Sequence, residues 1–329
     1  MSFPTNTNPL TFVQNTDHMG HHTQIVFFIP PGVHMLDLSG PIQTFFEAAR
    51  LGGNYKLLYC AFQPDIDDAS GLHFARLEHY SQLSLQAGDY LFIPGFDKRL
   101  LPDKRHQQQW DDFYAWLRQQ HELGVNLCSV CIGSFVLGRA GLLNGRKCTT
   151  HWSMLKEFRK ELRNTEVLDD QLFVKDDNIY TSAGISAGID LALFILEENH
   201  DALFVHKIAR ELVVYFRRSG QHTQESVYLN YRNHLHQGIH QLQDWLIEHL
   251  ATKSTIEEMA QVVNMSSRNL TRTFKQQTGI SVHEYITLLR VERARTLQHT
   301  PGITMDAIAA QCGFENVRQL QRIRKAHLF

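Results

Sequence analysis

The sequence predicts an α/β domain followed by a smaller all-helical one, and three observations carry that reading. From Thr23 to about Glu198, short apolar runs alternate with stretches of helical periodicity, the pattern of a sheet flanked by helices. Within that region an apolar strand runs straight into a helix at Cys131. Near the C-terminus one helix-turn-helix pattern occurs twice, Thr255 to Met265 aligning with Thr304 to Phe314.

Taken in order, residues 1–22 are polar, rich in Asn and Thr, and read as a flexible tail. The expected strands are Gln24–Ile29, Lys56–Ala61, Tyr90–Ile93, Val125–Cys128 and Ile179–Thr181. The expected helices are Pro41–Leu51, Gln107–His121, Ile132–Leu142 and Ser186–Asn199. Gly71 to Tyr80 reads as an added hairpin or edge strand, and Asp201 to Arg217 as helical. These segments make a front domain of residues 23–218. The polar stretch 219–240 reads as a linker to a C-terminal domain, 241–329.

In the front domain the informative stretch is Val125 to Leu137. Ser129 lies two residues before Cys131 and Gly133 two after it, and a tight strand-to-helix elbow requires small residues at both positions. A cysteine there sits at a helix N-terminus, which favours thiolate, and the N–H of Ile132 is placed to face an oxyanion. Cys128-x-x-Cys131 has the spacing of a redox pair. Residues three apart in a strand face opposite sides, however, so that disulfide would need the elbow to unwind.

In the C-terminal domain each copy of the repeat opens with Thr, which can cap a helix, and carries acid in the first turn, where the helix dipole favours it. Ile256, Met259, Ala260 and Val263, then Met305, Ile308, Ala309 and Cys312, fall on one face, while Asn264 and Gly313 suit the sharp turn. A basic second helix follows each turn. About Ser267 to Gln277 leaves Arg268, Asn269, Arg272 and Lys275 for a groove and its phosphates, around an inward Leu270 and Phe274. Asn316 to about Leu328 offers Arg318, Arg322, Arg324 and Lys325 around Leu320 and Ile323. Residues 238–329 hold 11 Lys and Arg against 8 Asp and Glu, a net of +3; the remainder holds 21 against 26, a net of −5. A basic end on an acidic body is the electrostatic footprint expected for duplex DNA.

These motifs carry two family resemblances. Ile256-x-x-Met259-Ala260, Leu270-x-Arg272-x-Phe274-Lys275, Thr278-Gly279-Ile280-Ser281, Leu289-Arg290 and Arg293-Ala294-Arg295 resemble the AraC/XylS-type DNA-binding domain, as do Ile303 through Gly313-Phe314 and Leu320-x-Arg322. The resemblance implies a long helix, Val282 to Gln298, holding the two units for successive major grooves about 34 Å apart. Leu288, Leu289 and Leu297 give that helix an apolar face. The second unit departs from the family. Arg324 stands where an aromatic core residue is usual, and the chain stops at Phe329, before the usual Gly-x-x-Pro-x-x-Tyr-Arg tail. That unit is expected to be shortened or loosely built.

Gly32-x-x-Met35-Leu36-Asp37-Leu38-Ser39-Gly40-Pro41, Asp89 to Phe96, Gly138 to Leu143, Cys148-Thr149-Thr150-His151-Trp152 and Tyr180 to Leu191 resemble PfpI-type domains, relatives of class I glutamine amidotransferases. The whole is similar to GlxA-type AraC-family regulators. The resemblance implies a flavodoxin-like PfpI-type sandwich with a nucleophile elbow, followed by an all-α tandem helix-turn-helix domain. It implies a cleft in which Asp37, Cys131, Ile132 and His151 meet a small polar effector, such as an amino acid or a quaternary amine. In the enzymes of this group Cys131 would be the nucleophile, with Asp37 and His151 assisting. Isonitrile hydratases carry a hydroxyl residue immediately after that cysteine, and here Ile132 stands there. The expectation is therefore a non-enzymatic regulator, most simply an activator. Its expected partners are promoter DNA, a small-molecule effector, RNA polymerase and a second copy of itself. The alternative is a cysteine-dependent hydrolase or hydratase.

Composition sets the remaining bounds. At 43% apolar and 20% charged over 329 residues the chain suits two folded domains rather than disorder. No apolar run approaches the ~18 residues of a membrane span, and a cytoplasmic, membrane-free setting is expected. The five cysteines lack zinc spacing. The closest histidine pairings, His21-His22 and His234-x-His236, read as solvated, so neither metal nor cofactor is expected.

Overall fold

The computed structural model describes residues 22–100, 107–214, 218–220, 224, 226–298 and 302–326, excluding the side chains of 228–229 and 324–326. In chain order the first part contains β1 (Thr23–Phe28), α1 (Met35–Arg50), β2 (Tyr55–Ala61), β3 (Ile66–Asp67), β4 (His73–Phe74), β5 (Glu78–His79) and β6 (Tyr90–Ile93). There follow α2 (Gln107–Glu122), β7 (Asn126–Val130), α3 (Gly133–Arg139), β8 (Lys147–Cys148), α4 (Leu155–Glu161), β9 (Glu166–Val167), β10 (Phe173–Asp176), β11 (Ile179–Ser182), α5 (Ala187–Asn199) and α6 (Ala202–Glu211).

Seven strands form one sheet in the order β10-β11-β7-β6-β1-β2-β5. The pairings are parallel except for the β10–β11 hairpin. Apolar runs such as Ile25 to Phe28 and Tyr90 to Ile93 are buried throughout, as a sheet covered on both faces requires. Because successive side chains alternate across the pleat, Phe27 and Phe28 serve opposite faces. Phe27 stacks on Phe92, which meets Phe45 of α1; Phe28 stacks on Phe113 of α2. Helices α1, α5 and α6 thus form one outer layer, and α2 and α3 the other. Strand order reverses between β1 and β6, so the crevice at the carboxyl ends of β1, β6 and β7 is the natural binding place of this topology.

Several expectations need correction. The first helix begins at Met35, not Pro41: Pro41 lies inside α1, where a Cβ on Gly188 of α5 would come within 3.2 Å of its ring, so the two helices meet closely there. The expected helix Ile132–Leu142 is regular only over Gly133–Arg139. Gly71 to Tyr80, by contrast, supplies both forms expected of it: β4 pairs antiparallel with β3, and β5 is an edge strand on β2. Strand β10 was not anticipated; its polar Lys175-Asp176 end and the turn at Asp177 (φ 58°) hide a hairpin from a periodicity reading.

Beyond residue 220 lie α7 (Val227–Asn230), α8 (Gln237–Glu248), α9 (Ile256–Val262), α10 (Ser267–Thr278), α11 (Val282–Gln298), α12 (Met305–Gln311) and α13 (Val317–Ala326). The segment 219–240 is therefore not a plain linker. It contains α7 and the start of α8, whose Ile239 is fully buried with Leu242, Leu270 and Phe274. Before it, Arg218 pairs with the buried Asp190 and donates to Ser186 Oγ at 2.8 Å. Gln224 donates to Thr149 Oγ1 (2.9 Å) and the carbonyl of Gln171 (3.1 Å). Ser226 Oγ and the Val227 N–H donate to the Glu292 carboxylate of α11 at 2.6 and 2.7 Å. Burial raises the pKa of Glu292. The expected tail 1–22 lies outside the described residues except for His22.

Candidate functional site

Cys131 sits at the end of β7 with φ 57°, a left-handed conformation that costs a non-glycine residue energy and persists only when its surroundings hold it. Those surroundings are on hand. Its N–H donates to the Ser182 carbonyl (3.0 Å), and its carbonyl accepts from Ser134 Oγ (3.0 Å) and Thr150 Oγ1 (3.1 Å). A Cβ on Gly133 would lie 2.1 Å from the Ile93 carbonyl oxygen, so the residue two after Cys131 has to be glycine. The elbow is present as the sequence predicts.

Asp37 reaches the cysteine from the first turn of α1. The loop after β1 is tied to the loop after β6 by His34 N–H to the Gly95 carbonyl (2.8 Å) and Asp97 N–H to the Gly32 carbonyl (2.9 Å), which fixes where α1 begins. Asp37 is 1% exposed; its Oδ1 accepts from the Ile185 N–H at 2.5 Å, while its Oδ2 faces the crevice, 3.4 Å from His34 Nδ1. A Cβ on Gly95 would come within 2.3 Å of that Oδ2, and one on Gly184 within 2.3 Å of the Cys131 Cβ. Bare backbone on both sides is what lets carboxylate and thiol share the crevice.

Electrostatics reverse one expectation. Burial first, and the Asp37 charge second, push the Cys131 thiol well above its usual range, and the Ile132 N–H offsets only part of this. Burial and the neighbouring carboxylate thus favour the thiol over the thiolate at this elbow. Ile132 is buried and contributes its N–H. The other four cysteines are likewise buried and free.

His151 is half-buried, and burial lowers its pKa against the pull of Asp37. Its Nδ1 is committed to Ser153, at 2.8 Å from Oγ and 3.4 Å from the N–H, capping the short turn Trp152–Met154. It borders the crevice through this capping role. A residue the sequence reading passed over stands nearer: His34 Nδ1 is 3.4 Å from Asp37 Oδ2, and contact with that carboxylate raises the His34 pKa. The signal was available, since His34-x-x-Asp37 places both residues on one side of a helix start. Ile185, left-handed at φ 51°, was also missed as the donor to Asp37.

The second candidate surface is on α10. Thr255 and Glu258 form a reciprocal capping box on α9, Asn264 turns the chain at φ 53°, and Ser266 caps α10. Arg268, Thr271, Arg272, Lys275 and Gln276 are exposed along one open groove. Asn269 is half-buried, and its side-chain oxygen accepts from Arg272 Nη2 (3.1 Å) and Thr273 Oγ1 (3.4 Å), so it aims Arg272. In the second unit Thr304 caps α12, Gly313 turns at φ 75°, and Arg318 and Arg322 are exposed on α13. The side chains of Arg324 and Lys325 lie outside the described residues.

Helix α11 joins the two units. Tyr285 and Leu289 fill the first core and Val291 and Ala294 the second. Arg290 Nε and Nη2 donate to the carbonyls of Leu250 (3.1 Å) and Thr252 (3.2 Å), and Gly313 packs so close that a Cβ there would lie 2.8 Å from Arg290 Nη2. Lys253 pairs with Glu315 across the two units at 2.6 Å. Their relative placement is thereby fixed. Among the described residues no helix is long and apolar enough to cross a membrane.

Comparison with known proteins agrees with this architecture. Residues 23–198 match the DJ-1/PfpI family and residues 259–328 a helix-turn-helix domain. The chain is 30% identical over 201 residues to the HTH-type transcriptional regulator GbdR of Pseudomonas aeruginosa, covering 61% of this chain and 54% of that protein, so it spans about half the length of this relative. It is 32% identical over 175 residues to an isonitrile hydratase of Pseudomonas putida, covering 53% of this chain and 71% of that one. The crystal structure of Drosophila melanogaster DJ-1beta, 21% identical, superposes with a TM-score of 0.50 over 60% of this chain and all of its own, a likeness of fold. The chain thus belongs to the DJ-1/PfpI family and joins that domain to a pair of helix-turn-helix units.

Proposed function

We propose that this chain is a sequence-specific DNA-binding transcriptional regulator, an activator by preference, whose front domain (23–218) binds a small polar effector and whose C-terminal domain (241–329) reads promoter DNA. The single observation that carries this reading is the fixed pair of helix-turn-helix units, held by α11 and Arg290 with the basic edge of α10 turned outward. The name of the Pseudomonas aeruginosa relative supports it. A regulator of this kind works in the cytoplasm, recruits RNA polymerase and pairs as a homodimer. Exposed Phe46 of α1, Leu203 of α6 and the adjacent Val213 give the front domain an apolar outer layer for that pairing.

The DNA contacts are directly testable. Arg268→Ala is expected to cost about 1–3 kcal/mol of operator affinity and to relax sequence preference. Lys275→Ala is expected to weaken all sequences alike and to flatten the salt dependence by about one counterion. Anisotropy titrations against operator and random duplex across a salt series measure both; an Arg268→Ala protein that binds like the parent would refute this docking register.

In the crevice the buried Asp37 carboxylate, the Ile132 N–H and the free side of His151 suit an effector carrying an amine or amide, an amino acid or quaternary amine among them. An effector acts only through a difference in affinity between two arrangements of the protein. Asp37→Ala is expected to remove about 2–5 kcal/mol of effector binding and with it the effector's influence on DNA affinity. Cys131→Ala should keep most of that influence, because its thiol is protonated at rest. Thermal shifts against a metabolite panel, followed by DNA titrations with each hit, measure both. The kinship to an isonitrile hydratase favours a second reading, catalysis by Cys131. Turnover of amides or isonitriles that Cys131→Ala abolishes would establish it instead.

A further inference from the structure

We infer that a cavity at the junction of the two halves binds a small organic cation with a flat apolar body, at a site apart from the Asp37–Cys131 crevice. This goes beyond the reading as a regulator and does not depend on it. The cavity holds about 440 Å³, within the range of small-molecule sites, which favour places where domains meet. Trp152, Leu155, Asp169 and Asp170 line it from the front domain, and Leu288 and Glu292 of α11 line it from the other side. Asp37, Cys131 and His151 are not among its walls.

The independent observation is a set of apolar side chains that no core uses. None of the three described hydrophobic cores includes Trp152, Leu155 or Leu288, and all three line this one cavity. Trp152 is 52% exposed, whereas the other three tryptophans are buried or half-buried. An indole left open on a cavity wall offers its π face to a cation. Charge selects the sign of the guest. The walls carry three carboxylates, Asp169, Asp170 and Glu292, against the one guanidinium of Arg295. Arg159 pairs with Asp169 at 2.8 Å from outside the cavity, while Asp170 pairs with no cation among the described residues. Burial makes the Glu292 charge costly, and a cation entering the cavity lowers that cost. The guest therefore meets an aromatic face and a carboxylate on the front domain, and an apolar wall on α11. Because the walls belong to different halves, it binds best when they stand as they do here, and so favours this arrangement over any in which they part.

The test uses phenethylammonium as the probe, with phenethyl alcohol and phenylacetate as its neutral and anionic counterparts. Each is titrated into the full chain and followed by ligand-observed NMR. Phenethylammonium is expected to saturate with a dissociation constant on the order of 1 mM, as suits so small a ligand. The alcohol should bind at least about 10-fold more weakly, and phenylacetate not at all. Trp152→Ala, at an exposed position where folding is not at stake, should weaken the probe at least about 10-fold, and Asp170→Asn about 3-fold or more. Hydrogen exchange at α7 should slow with the probe bound, because Val227 and Asn230 also line the cavity. Absence of saturable binding overturns the proposal, as does equal affinity for the alcohol, which would leave only an apolar slot. Binding that survives Trp152→Ala but is lost in Asp37→Ala would place the probe in the crevice instead, and unchanged exchange at α7 would place it outside the junction. DNA titrations without the probe test the regulator reading separately, so failure of either leaves the other standing.

Discussion

Gly133→Ala is expected to cost the DJ-1/PfpI domain about 4 kcal/mol or more of folding free energy, the upper end of what single substitutions do. The added methyl would meet the Ile93 carbonyl oxygen at 2.1 Å, the Ile93 carbonyl carbon at 3.0 Å and the Pro94 carbonyl oxygen at 3.0 Å. All three are backbone atoms of β6 and the loop beyond it, paired to β7 and unable to rotate aside as a side chain would. Relief would require β7 and α3 to part from β6, which exposes Phe92, Leu127 and Phe135. Urea unfolding of the parent and variant, followed by far-ultraviolet circular dichroism, measures the difference. A loss under about 1 kcal/mol would mean that the elbow yields readily, and the tight packing argued for Cys131 would fall with it.

Phe274→Ala is expected to cost about 3–5 kcal/mol and to remove the first helix-turn-helix unit. Phe274 is fully buried, packs against Tyr285 and sits in one core with Ile239, Leu242, Met259 and Leu270. The second unit has a separate core around Ile308, Phe314 and Leu320, so the damage should be local. Hydrogen exchange should show α10 amides losing protection while those of α5 keep it, and operator binding should vanish. Uniform loss of protection through both domains would mean that the domains fold as one unit.

The sequence carried the fold where periodicity and covalent constraint coincide. Buried strands such as Tyr90–Ile93 are continuous apolar runs, and Thr255, Asn264, Thr304 and Gly313 are residues whose chemistry fits few places other than caps and turns. What it hid depends on distance. The Ile25–Leu57 and Lys175–Tyr180 pairings show how differently a parallel core pair and the polar end of an edge hairpin advertise themselves: β10 was missed because its Lys175-Asp176 end breaks the apolar run. In the crevice Cys131 and Asp37 were legible from local motifs, whereas the charge state of the thiol was not. That state is set by a carboxylate 94 positions away in the chain and by burial, and neither leaves a mark next to the cysteine. The bond of His151 Nδ1 to Ser153 was hidden for the same reason, since that partner is chosen by a turn that only the folded chain makes.

The bonds on Gln224, Ser226 and Val227 change what kind of tether joins the two halves. A slack tether would let the C-terminal domain wander, and its encounters would follow an effective concentration set by chain length. Here the anchor to Thr149 and the anchor to Glu292 are two residues apart, so the random-coil arithmetic of linkers does not apply. Thr149 adjoins Thr150, which holds the Cys131 carbonyl, and Glu292 rides on the helix that carries both helix-turn-helix units. Orientation is therefore set by those few bonds rather than averaged over a slack chain: Gln224 leans on the elbow side and Ser226 on the helix-turn-helix side, so one short bridge couples the two halves.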